Sequence, residues 1–255
     1  MLQPFDLSAL TPAAAAATEG GGPINGHPYT LVMALVFMAI HLYAPYCRRW
    51  LAHREHRVYS LGGGMAVAYA ILMLLPELER SHLHVGDAIH VVVLAGLVAF
   101  YAIEMRLHHH KARGADGESI PAAALHVGIG WIYTWAIIFA MPEQVVLHGH
   151  AALFTAIAIG VHLLYKDYLM SAHENGAYVL WGRYVLATAP LTAWVMGLII
   201  EPSEHVADLI IAILAGYLLQ NIFRNELPSV RSSRLGAFIA GAFLFGVPVT
   251  LLRML

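Results

Sequence analysis

Apolar residues in this 255-residue chain come in long blocks separated by short polar stretches. A membrane-spanning helix needs about 20 mostly apolar residues. Eight blocks meet that requirement, approximately at 29–47, 59–76, 87–105, 121–141, 151–170, 178–200, 207–223 and 234–252. Pro76, Pro142, Pro202 and Pro228 each fall at or just past a block's end, where proline is expected as a stop. The opening stretch MLQPFDLSALTPAAAAATEGGGPINGHP lacks a basic n-region, and Pro4 and Asp6 interrupt its apolar residues, so it does not read as a signal peptide. The pattern predicts a loose extracytoplasmic tail over 1–28 and an all-α, eight-span membrane domain over 29–255, with no separate soluble domain.

Composition agrees with the pattern. The chain is 59% hydrophobic and 12% charged, whereas soluble domains carry about 25% charged residues. A net charge of −2 argues against a nucleic-acid partner. A single cysteine, Cys47, excludes an internal disulfide and a cysteine-based zinc knuckle. With the N-terminus outside, all of the 14 Lys and Arg except Arg80 and Arg253 fall in inner segments. The positive-inside bias therefore places both termini outside an inner or plasma-type membrane and the segment RLHHHKARGADGES in the cytoplasm.

The fourth and fifth blocks each hold a histidine well inside an apolar run, His126 in AAALHVGIGWIYTWAIIFA and His162 in AALFTAIAIGVHLLYKDYLM. An ionisable side chain at that depth normally faces the bundle interior and marks a site. Blocks two and seven share another pattern, for both open with small residues and close on a Leu/Glu/Pro cluster, in LGGGMAVAYAILMLLPELE and IAILAGYLLQNIFRNELPS. In the topology above they cross in opposite directions. That is the construction of secondary transporters built from inverted repeats, here helices 1–3 and 6–8 around a central pair 4 and 5. Small-residue helices also resemble one another simply because close packing favours Gly and Ala.

Eight spans, outer termini, a histidine-bearing inner segment after helix three, and a histidine in each of helices four and five together resemble the ZIP (Zrt/Irt-like) family of divalent-metal transporters. The LLPE and NELP endings of helices two and seven add to the likeness, which extends over the chain after residue 28. The resemblance implies a 3+2+3 helix arrangement and a site holding one or two ions, Zn²⁺ or another divalent metal. In that family helix four reads His-Asn-x-x-Asp-Gly and helix five His-Glu-x-x-His/Glu. This chain keeps His126 and His162 but has Val127, Gly130, Leu163 and Lys166 at the other positions. Asp167 is the nearest carboxylate, about 100° round the helix from Lys166.

Two imidazoles with Asp167 make a thin ligand set, since zinc sites hold four ligands. Lys166, one turn from His162, repels a cation. Its ammonium therefore either substitutes for the metal's charge and fixes the helices, or snorkels to the headgroups. His41 and His90 read as hydrogen-bonded packing histidines, and Gln220 and Asn221 as interhelical bonding groups or a polar pathway lining. Arg183 reads as snorkelling inward, with Trp181 and Tyr184 as interfacial anchors. His108, His109 and His110 could collect metal from an inner loop. Glu77, His82, His84, Glu143, His148 and His150 could form a cation-attracting outer vestibule, with Glu201, Glu204 and Asp208 adding to the field.

Two functions follow. The preferred expectation is a ZIP-like membrane component that has lost the metal pathway and serves as an accessory subunit, assembly factor or sensor, in a membrane complex or as a homodimer. The alternative is a divalent-metal transporter with a reduced histidine site. Haem ligated by paired histidines or a lysine-bound chromophore is a further class, without a matching spacing. No HExxH, and no serine–histidine or serine–lysine pair at helical spacing within the spans, points to an enzyme.

Overall fold

The computed structural model describes residues 28–51, 55–112, 120–141, 149–173, 176, 178–200, 202–226 and 234–254. Each of the eight apolar blocks is helical there: α1 (Pro28–Leu51), α2 (55–85), α3 (Ala88–Ala112), α4 (Ile120–Phe139), α5 (Gly149–His173), α6 (178–199), α7 (204–226) and α8 (Leu235–Met254). The described residues contain no strand. By length and hydropathy, Pro28–Cys47, His56–Val85, Ala88–Arg106 and Glu204–Arg224 can each cross a membrane, and Ala123–Phe139 and Leu235–Leu251 are shorter apolar helices.

Two expectations about helix ends are corrected. Pro76 does not stop α2, which continues to Val85. A proline inside a helix has no N–H to give and crowds the carbonyl four residues back. A π-helical turn at Ala70–Leu74 immediately before it widens the backbone and absorbs that conflict. A second π turn, Ile222–Glu226, ends the described part of α7 and lies at the same distance in sequence before Pro228, both prolines and both turns being 152 positions apart. The other correction concerns His108, His109 and His110, which belong to the last turns of α3 and not to a loop. Hydropathy marks only the apolar part of a helix, and α3 outruns it.

The helices associate in a definite scheme. α2 lies along α8, α3 along α7, α1 against both α5 and α6, and α4 against α6. Two of these pairings rest on glycine. A Cβ on Gly64 would lie 2.0 Å from the Phe238 carbonyl oxygen and one on Gly241 2.1 Å from that of Leu61, so α2 and α8 touch backbone to backbone. A Cβ on Gly216 would meet the Val93 oxygen at 2.3 Å and one on Gly96 the Ile213 oxygen at 2.9 Å, so α3 and α7 do the same. The central core joins Phe37 of α1, Tyr133 and Ile138 of α4, Leu163 of α5, Ala193 of α6 and Tyr217 of α7.

The outside of the bundle is as apolar as its inside. Val91, Leu94, Val98 and Tyr101 of α3, Leu180 and Ile199 of α6, and Phe243 and Leu244 of α8 are all exposed. Monomeric soluble proteins rarely expose contiguous apolar patches larger than a few hundred Å². Lipid contact accounts for such a surface.

Candidate functional site

Lys166 and Asp167 are sequence neighbours on α5, and the helical twist sends them to different partners. Asp167, 1% exposed, turns to α1, where His41 Nδ1 donates to its Oδ2 at 2.6 Å. His41 is equally buried, its Nε2 lies 3.3 Å from Thr134 Oγ1 of α4, and the Tyr178 hydroxyl of α6 donates to its carbonyl at 3.2 Å. One residue thus ties α1 to α4 and α5 through its ring and to α6 through its carbonyl. His41 is a hydrogen-bonded packing histidine, as its sequence suggests. Asp167 is the correction, since the carboxylate offered as a metal ligand is held by His41 and turned away from Lys166.

Lys166 turns inward rather than snorkelling. Its Nζ lies 4.9 Å from the centre of the Tyr133 ring of α4 and 4.6 Å from that of Tyr217 of α7. It is shielded from solvent and has no hydrogen-bond partner among the described residues. Gly130 of α4 lies alongside, where an added Cβ would meet Leu186 Cδ2 at 3.0 Å and come only into ordinary contact with Nζ, at 3.8 Å. The two tyrosines pack on each other with centroids 4.7 Å apart, and Phe100 of α3 closes the cluster at 4.6 Å from Tyr217. Aromatic faces carry negative potential, so they hold a cation without supplying a ligand atom.

The two span histidines sit on different helices, His126 on α4 and His162 on α5. The His162 ring lies beside Tyr133, with centroids 5.9 Å apart. His126 precedes Tyr133 by seven positions on the same helix, about 10 Å along the axis. Among the described residues, His126, His162 and Asp167 do not form a set of three with ligand atoms within 4.8 Å of one another.

Between α2, α4 and α7 lies a largely apolar cavity of about 80 Å³, lined from Glu77 and Met141 at one end to Tyr69, Tyr133 and Leu218 at the other. Tyr133 is therefore shared between the deep end of the cavity and the lysine cluster. Near its Glu77 end the acids are already engaged. Glu77 Oε2 accepts from Arg80 at 2.7 Å, and Asp208 accepts from Ser81 Oγ at 2.7 Å and faces His84 Nδ1 at 3.3 Å. Of the other vestibule residues, Glu143 and His148 lie outside the described residues, and so do the side chains of His150, His108, His109 and His110. Glu201 is likewise outside them. The Arg183 guanidinium lies over the Tyr184 and Tyr46 rings at 4.6 and 5.8 Å, a tie between α6 and α1.

Tyr133, Tyr217 and His41 are the residues that sequence reasoning missed as partners. Their signal was slight. Tyrosines are expected at the membrane–water interface, so two of them deep in spans was the available hint. The chain matches no family model, and no curated protein or solved structure is significantly similar to it.

Proposed function

We propose that this is a ZIP-like 3+2+3 membrane protein that does not transport metal and works as a membrane component, an accessory subunit, assembly factor or sensor. The observation that carries the reading is the Lys166 ammonium seated between Tyr133 and Tyr217 against Gly130. A fixed cation there repels a mobile divalent one, and among the described residues no trio of His, Cys, Asp or Glu gathers there to coordinate it.

The helix pairing supports the inverted-repeat arrangement. Exchanging α1 with α6, α2 with α7, α3 with α8 and α4 with α5 turns the α2–α8 pair into α7–α3 and α1–α5 into α6–α4, leaving the scheme unchanged. The close-approach glycines Gly64 and Gly216 are 152 positions apart, as are the two prolines. The distribution of basic residues supports outer termini in an inner or plasma-type membrane.

The test is uptake of Zn²⁺, Cd²⁺, Fe²⁺ and Mn²⁺ into proteoliposomes by the native chain and by His162→Ala. Folded native protein is expected to give no saturable flux. Saturable flux that His162→Ala abolishes would replace this reading with that of a transporter using a reduced histidine site.

A further inference from the structure

The turn between α2 and α3 gathers three side chains that the lysine cluster does not involve. His82 stands in the last turn of α2, Asp87 in the turn itself and His90 in the first turn of α3. Their ligand atoms all lie within 4.8 Å of one another, and no other trio of His, Cys, Asp or Glu among the described residues does so. His82 Nδ1 is 3.8 Å from Asp87 Oδ1, and the His82 and His90 rings are 5.3 Å apart, tilted by 51°. We propose that His82, Asp87 and His90 bind a borderline divalent cation of the Zn²⁺ type.

The backbone builds the trio. Gly86 has φ 75° and ψ −163°, a conformation that only glycine adopts readily, and it reverses the chain within two residues. The turn is closed by the Gly86 N–H on the His82 carbonyl at 2.8 Å, the Ile89 N–H on that of Gly86 at 3.1 Å, and the His90 N–H on that of Asp87 at 3.2 Å. Ile89, fully buried, anchors the start of α3 between the two outer ligands. His82 Nδ1 is itself screened from solvent and has no hydrogen-bond partner among the described residues. That leaves a ring nitrogen whose hydration has been lost and not replaced.

The chemistry narrows the ion. Two imidazoles and one carboxylate suit Zn²⁺ better than Mg²⁺ or Ca²⁺, which favour oxygen. Tetrahedral Zn²⁺ with ligands at 2.0–2.1 Å sets neighbouring ligand atoms about 3.3 Å apart. The His82–Asp87 edge is 3.8 Å, and the Asp87 side chain is fully exposed and able to turn inward. Three protein ligands leave a fourth position for water. His84, on the same stretch, faces Asp208 and stays out of the set. The site stands apart from Lys166 and does not depend on whether the bundle conducts metal.

The experiment titrates Zn²⁺ into the chelator-stripped full chain in detergent, against a chromophoric competitor, with thermal melting as a check on folding. Asp87 and His90 are exposed, so Asp87→Asn and His90→Ala should fold as the native chain does. Each is expected to lose one bound Zn²⁺ or to weaken the tightest site at least tenfold. His84→Ala and His162→Ala are expected to titrate like the native chain. Native-like titration by Asp87→Asn and His90→Ala, or an equal loss in His84→Ala, would overturn the proposal.

Discussion

Truncating His41 is the sharpest probe of the bundle, because it strands a buried carboxylate. Asp167 is 1% exposed, and the bond from His41 Nδ1 at 2.6 Å is its visible compensation. Removing one partner of a buried charged pair costs about 3–5 kcal/mol, most of it the penalty for the group left behind. His41→Ala also opens a cavity among Thr134, Tyr178 and Asp167, so it should fall at the upper end of that range. Asp167→Ala removes the carboxylate and leaves an imidazole that can still face Thr134, for a smaller loss of about 2–3 kcal/mol. The double substitution leaves no stranded charge and should cost less than the sum by about 2 kcal/mol. Asp167→Asn keeps the shape and one acceptor, and should lose about 1–2 kcal/mol. The assay is unfolding of the four proteins in mixed micelles with increasing denaturing detergent, closed as a double-mutant cycle. A coupling energy below about 0.5 kcal/mol would refute the pairing and return Asp167 to the pool of free carboxylates.

Three further outcomes are expected. In a cycle of Lys166→Met with Tyr217→Leu, the coupling should be about 1–2 kcal/mol, as for a desolvated cation on a ring, while Tyr217→Phe should be nearly silent; thermal melting in detergent reads both. Gly64→Leu or Gly216→Leu forces a side chain into a neighbouring backbone and should cost about 3 kcal/mol or more, whereas Gly128→Ala, with nothing within 4 Å of an added Cβ, should be tolerated; expression and melting distinguish them. With Cys47→Ser as background, Leu83→Cys, 78% exposed at the α2 end, should react with a membrane-impermeant thiol reagent on intact cells; labelling only after lysis would invert the topology inferred from Arg and Lys.

What could be read from the sequence was whatever a single helix decides for itself. Each apolar block became a helix because about 20 such residues leave the backbone no better solution in lipid. The stop at Pro76 was misread because a π turn, invisible to hydropathy, lets α2 accommodate proline. The direction of Lys166 was legible only as a choice, since the 100° between it and Asp167 acquires meaning once α1, α4 and α7 are in place. The His41–Asp167 bond joins residues 126 positions apart, and no local pattern announces it. His82, Asp87 and His90, by contrast, lie within nine consecutive residues. They were not joined into one set because His82 was read with the vestibule, His90 as a packing histidine, and Asp87 not at all.

The glycine crossings of α2 with α8 and α3 with α7 also limit how this bundle can respond to its bilayer. A carbonyl oxygen seated where a side chain would be locks the axial register of both helices, so neither can slide or roll past its mate without a backbone collision. A change in hydrocarbon thickness must then be met by tilting each pair as a block. The compliant seams lie instead where side chains alone mediate contact, as along the Tyr133–Lys166–Tyr217 column, and it is there that membrane thickness would be felt first.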